Sequence, residues 1–170
     1  MGASTDMFVA EAMKLLGKSY KEMDCQEFVE TAMEAVGIHI DKAGSNTWYR
    51  SMTWKGTPEE CIAMFGSIPK GALIYIVENN GKEPEKYRND GIGNASHMGI
   101  KTGTSPGAIH SSESKGGVVE SAFKDKTIRN GGWNRVGLSD LFDYGEKINA
   151  ILRNEEGETV AEVKKAIVDK

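Results

Sequence analysis

Cys25 stands at the head of the run Asp24-Cys25-Gln26-Glu27-Phe28-Val29. Two histidines follow much later, in Ser96-His97-Met98-Gly99-Ile100 and in Ala108-Ile109-His110-Ser111. These three side chains suffice for acyl transfer: a thiolate attacks a carbonyl, a base takes the thiol proton, and a third group orients the base. Position separates Cys25 from the second cysteine. Cys25 begins a helix, where the dipole favours an anion. Cys61 lies inside an apolar helical run and reads as a small buried hydrophobe. Cys25 also precedes Phe28 and Val29 by three and four residues, which puts its thiol on the helix face turned to the body of the protein. Singly, each residue has an ordinary structural reading. Their combination in this order points to catalysis.

Composition narrows the alternatives. A chain of 170 residues forms one domain and buries roughly 70% of its unfolded surface. It needs no disulfide staple, and a Cys25–Cys61 bridge is not expected because both cysteines fall in helices. His39, between two isoleucines in a loop, reads as surface. Isolated cysteines and histidines at these spacings make no four-ligand zinc site, so neither a metal nor an organic cofactor is expected. The net charge of −4 and the lack of a basic run argue against nucleic acid as the main partner. No apolar stretch reaches the length of a membrane span. The start, Met1-Gly2-Ala3-Ser4-Thr5-Asp6, has neither a cationic region nor an apolar core, so no signal peptide is expected.

The elements that must position the three residues follow from periodicity. A first helix is predicted over residues 5–16, capped by Ser4 or Thr5 and stopped by Gly17. A second runs from Asp24 or Cys25 to Gly37. Residues 38–56 read as irregular, with a helical piece around 48–52. Thr57-Pro58-Glu59-Glu60 combines a cap, a first-turn Pro and a Glu three residues after the cap, and opens a further helix that Gly66 ends. Residues 71–77 form a mostly apolar run and read as a central strand. A polar stretch of 78–95 reads as a loop, functional or disordered at that length. Strands are predicted at 97–102, 108–112, 118–123 and 133–136, and residues 138–152 look partly helical. The class is α+β, with one domain over 1–152 and a charged tail, helix or linker over 153–170.

In the 97–102 strand, Met98 and Ile100 alternate with His97 and Gly99, so His97 points away from the Met-Ile pair. A hairpin register that sets His110 opposite Gly99 makes the two histidines diagonal neighbours, with room between them where Gly99 has no side chain. A slip of one residue turns His110 to the other face.

Asp24-Cys25 with Phe28, Ser96-His97-Met98-Gly99-Ile100 and Ile109-His110 resemble the NlpC-type cell-wall cysteine peptidases. Tyr20 matches a Tyr that the family carries before its nucleophile, and Gly71-Ala72-Leu73-Ile74 matches a family strand, so the resemblance covers residues 10–136. It implies a papain-like α+β fold, with a Cys-bearing helix packed on an antiparallel sheet that bears His. It also implies hydrolysis of bacterial peptidoglycan stem peptides after γ-D-glutamate, without a cofactor. Cys25 would be the nucleophile, His97 the base and His110 its orienting partner, with Tyr20, Asp24 and Ser96 in the substrate cleft. Two departures border that cleft: Lys21-Glu22-Met23-Asp24 replaces a longer Trp-Gly-Gly-containing loop, and Gln26-Glu27 replaces a Ser-Gly pair. A CHAP-type N-acetylmuramoyl-L-alanine amidase, a thiol protease or transpeptidase acting on protein, and a non-catalytic cell-wall-binding domain remain alternatives. Action on the wall without a signal peptide implies a phage or prophage lysin, a tail-associated hydrolase, or an enzyme held in the cytoplasm until release.

Overall fold

The computed structural model describes residues 2–39, 41, 43–124, 128 and 132–153. Among them the order is β1 (Ala3–Ser4), α1 (Thr5–Met13), α2 (Cys25–Ala35), α3 (Ser45–Ser51), β2 (Trp54–Gly56), α4 (Pro58–Phe65), β3 (Leu73–Glu78), β4 (Asn94–Lys101), β5 (Gly107–Ser112), β6 (Gly117–Ala122), β7 (Arg135–Leu138), β8 (Phe142–Asp143) and α5 (Glu146–Arg153). Six strands form an antiparallel sheet in the order β2-β7-β3-β4-β5-β6, and β1 pairs with β8 in parallel. The class is α+β. The tail beyond Arg153 lies outside the described residues. No helix among them is long and apolar enough to cross a membrane.

The sheet is covered on both faces, which explains the unbroken apolar run of β3. Leu73 and Tyr75 enter one cluster with Phe8, Val9 and Ala12 of α1 and with Phe28, Val29, Ala32 and Met33 of α2. Ile74 and Ile76 enter another, with Cys61, Met64 and Phe65 of α4 and Leu152 of α5. The two cysteines therefore pack in separate clusters, Cys25 at the border of the first and Cys61 within the second.

Helix starts follow the local chemistry. Ser4 caps α1, accepting from the Met7 N–H. Asp24 with Glu27, and Thr57 with Glu60, form reciprocal capping boxes at α2 and α4. Boundaries depart from the sequence reading where tertiary bonds intervene. α1 ends at Met13, because Leu15 and Leu16 donate to i−3 carbonyls and Gly17 N–H then donates to Val118 O on β6. α3 starts at Ser45, since an extended Gly44 supplies its first carbonyl. β4 starts at Asn94, three residues before His97, because Asn94 and Ala95 pair with Glu78 and Val77. β7 starts at Arg135 and excludes Trp133, for the Asn134 side chain takes the next rung, accepting from Val77 N–H and donating to Val77 O. Of residues 138–152, only those from Glu146 on are helical, because Phe142 and Asp143 pair with β1.

The connection between β3 and β4 is held down. Arg50 bonds the Asp90 carboxylate and the Gly93 carbonyl, and its guanidinium lies 4.2 Å from the centre of the Tyr87 ring. Asn46 accepts from the Ala95 N–H and donates to Asn94 Oδ1. α3 thus fixes the start of the strand that carries His97.

Candidate active site

Four long-range bonds set the head of α2 against β5 and β6. Residues 17–20 add to the edge of β6: Gly17 N–H donates to Val118 O, Val118 N–H to Lys18 O, and Tyr20 N–H to Gly116 O. A Cβ at Gly117 would overlap the Lys18 carbonyl, so this approach needs glycine there. Ser111 Oγ, on β5, then donates to Met23 O at 2.6 Å. The next residue, Asp24, caps the helix by accepting from Glu27 N–H at 2.9 Å. Gln26 donates to the buried Glu30, which also accepts from Trp48 Nε1 and Ala43 N–H. The pair Gln26-Glu27 is thus occupied in building α2 and its packing.

The histidines meet as the favoured register requires. β4 and β5 pair at Ile100–Ile109 and Lys101–Ala108, and one step further in that register sets Gly99 against His110. His97 Nε2 lies 2.7 Å from His110 Nδ1. A Cβ on Gly99 would stand 3.0 Å from His110 Cβ and 2.8 Å from Trp133 Cη2, so the space left by the glycine is taken by an indole. Trp133 stacks on His97, with centroids 5.2 Å apart and planes at 17°, and meets His110 edge-on at 5.1 Å. His110 is buried at 2% exposure.

A β-bulge marks the start of this arrangement. Ile76 pairs with His97 but Val77 pairs with Ala95, so Ser96 is the extra residue. Ala95 and Met98 consequently enter the same apolar cluster although they are three residues apart. Bulges of this kind re-aim side chains beside sites. Ser96 donates to Glu78, from the neighbouring strand.

A cleft of about 460 Å³ opens here, lined among others by Tyr20, Ser96, His97, His110, Ser112 at the end of β5, and the β5–β6 turn residues Glu113, Ser114 and Lys115. Four residues singled out from sequence thus share one cavity. Asp24 and Cys25 are not in its lining. Cys25 comes from the face of the sheet covered by α2, and its thiol lies at the amide joining His97 to Met98. Burial pushes the thiol up from its ordinary value. The Met98 N–H pulls it back, the Asp24 carboxylate pushes it further, and the N–H groups of Gln26 and Cys25 itself pull it down. Helix position alone favours a thiolate; desolvation works against it. Cys61, in the second cluster, is pushed by burial up to about 12.

Trp133, Asn134, Glu78 and residues 112–115 escape sequence reasoning. Trp133 reads as a strand residue, and the signal that could have found it is the demand for space at Gly99. His39 is exposed, as expected. Among the described residues no three His, Cys, Asp or Glu side chains gather as metal ligands would. No family model, curated protein or solved structure matches the chain.

Proposed function

We propose that this chain is a papain-like thiol hydrolase that cuts peptidoglycan stem peptides between γ-D-glutamate and the following diamino acid. One observation carries the reading: the 2.7 Å contact of His97 Nε2 with His110 Nδ1 on the wall of a cleft, with the Cys25 thiol at the adjoining peptide unit. When His97 Nε2–H donates to His110 Nδ1, the His97 Nδ1 lone pair accepts the thiol proton. The raised thiol fits a nucleophile that ionises by transfer to its base.

Cys25 Sγ then bonds to the substrate carbonyl carbon. The first-turn N–H groups beside the thiol, those of Cys25 and Gln26, supply donors for the oxyanion. The His97 imidazolium gives its proton to the leaving amine of the diamino acid. Water, deprotonated by His97, attacks the thioester and frees the γ-D-glutamyl carboxylate. The bond assignment comes from the NlpC-type resemblance at Tyr20, Asp24 and Ser96, and the setting it favours is a phage or prophage lysin or tail-associated hydrolase. Mass spectrometry of digested wall tests it. The expected product carries a new free amine on the diamino acid, and a stem peptide with a free N-terminus is cut faster than its N-acetylated form. Release of intact stems from N-acetylmuramic acid would make the chain an amidase. No soluble fragments at all would leave a binding domain.

A further inference from the structure

We infer that Trp133 is a positioning residue for the proposed thiol hydrolysis, its indole face holding the His97 ring and stabilising the imidazolium formed when the thiol ionises. The inference rests on His97 acting as the base. Its geometry stands apart from that reading: a near-parallel stack at 5.2 Å, an edge contact with His110, and a glycine beneath, Gly99, where any Cβ would displace the indole. Trp133 is 6% exposed and is not in the cleft lining, so it acts through His97 and does not touch substrate.

The stack is built by the chain around it. Asn134 clamps the backbone beside Trp133 with three bonds to β3: its N–H donates to Tyr75 O, and its side chain exchanges two bonds with Val77. An indole so fixed restricts the rotation of His97 about its side-chain bonds. It also offers the aromatic face that binds a cation best, in a place where desolvation works against one.

Among the described residues, the charged and titratable groups near His97 are His110 on β5, which its ring contacts; the Cys25 thiol at the Met98 amide; Glu78, which accepts from Ser96; and Tyr20, Glu113 and Lys115, which line the same cleft. On the Trp133 side, Arg135 turns its guanidinium to Asn134 O. The test must therefore change the indole and leave these in place.

The experiment is NMR titration of the histidine rings in a Cys25→Ala background, with kinetics in the Cys25 form. In the Cys25→Ala protein the His97 ring protons are expected upfield of free histidine, from the indole ring current. Trp133→Leu keeps an apolar cover but removes the π face. Its His97 midpoint should fall by about one pH unit, with Trp133→Phe between the two. In the active form, Trp133→Leu should lower kcat by about tenfold with KM within about twofold. An unchanged His97 midpoint in Trp133→Leu, or a raised KM with kcat intact, would overturn the inference. Should Trp133→Leu fail to fold, absence of the ring-current shift in the Cys25→Ala protein overturns it equally. Absence of hydrolysis in the parent would sink the hydrolase reading and the catalytic part of the inference with it; the titration needs no substrate, so it still decides by itself whether the indole holds the His97 ring and stabilises its cation.

Discussion

Replacing Ser111 with alanine asks whether the two halves of the site are coupled through β5. Ser111 is fully buried, follows His110 directly, and donates to the carbonyl of Met23, two residues before Cys25. Its hydroxyl thus joins the approach to the nucleophile helix to the strand of the orienting histidine. Such a bond contributes about 0.5–1.5 kcal/mol net, and a carbonyl stranded without its donor costs about 1–3 kcal/mol. Met23 is partly exposed, so water replaces some of the loss and the expected destabilisation is about 1–2 kcal/mol. For a chain of this length the Tm should fall by about 2–8 °C. Activity should suffer more, because a displacement of about 1 Å between reacting groups can cost on the order of 100-fold. Ser121→Ala is the control on the partner strand. Ser121 Oγ is buried with no hydrogen-bond partner among the described residues, so its removal should be neutral or stabilising. The assay pairs thermal unfolding by circular dichroism with release of soluble wall fragments. If Ser111→Ala behaves like Ser121→Ala in both, β5 does not couple the two halves.

Cys25→Ala should abolish wall hydrolysis while circular dichroism stays native, whereas Cys61→Ala should keep most activity. The buried Cys61 thiol stays protonated in the fold while the unfolded chain ionises, so its contribution is intact below about pH 9 and lost as pH rises towards about 12; Cys61→Ala should flatten that alkaline decline in urea titrations. His97→Ala should be as damaging as Cys25→Ala, and His110→Asn partly tolerated because an amide oxygen can still accept from the imidazole; full activity in His110→Ala would remove His110 from the unit. Iodoacetamide should inactivate the parent near neutral pH. With His97→Ala, burial keeps the Cys25 thiol protonated, so alkylation should need a pH above the ordinary thiol value; equal profiles would mean that His97 does not ionise the thiol. EDTA should leave activity unchanged, and loss restored by zinc would refute a metal-free mechanism.

The elements that carry the site were legible where one local rule governed them. Asp24 and Glu27 define the start of α2, Thr57-Pro58 that of α4, and the strand alternation around Met98 sends His97 away from the first cluster. The register that brings His97 to His110 was one of two that the alternation left open, and strand pairing decides it. What was not legible depends on partners distant in sequence. The bulge at Ser96 arises from pairing with β3, and the end of α1 from bonds to β6. The Trp133 stack depends on an asparagine side chain completing a ladder. The burial that raises the Cys25 thiol was not legible, because helix position is visible in sequence and desolvation is not.

Residues 17–20 do more than bring Tyr20 to the cleft. β6 is one of the two outer strands of the six, and an open strand edge templates pairing with other molecules. The three bonds at Gly116 and Val118 close one end of that edge, and the exposed Glu120 places a charge further along it. Changes that free this segment should therefore do two things at once: unseat a cleft residue and make the protein self-associate. In this chain, loss of activity at 17–20 and loss of monodispersity should travel together.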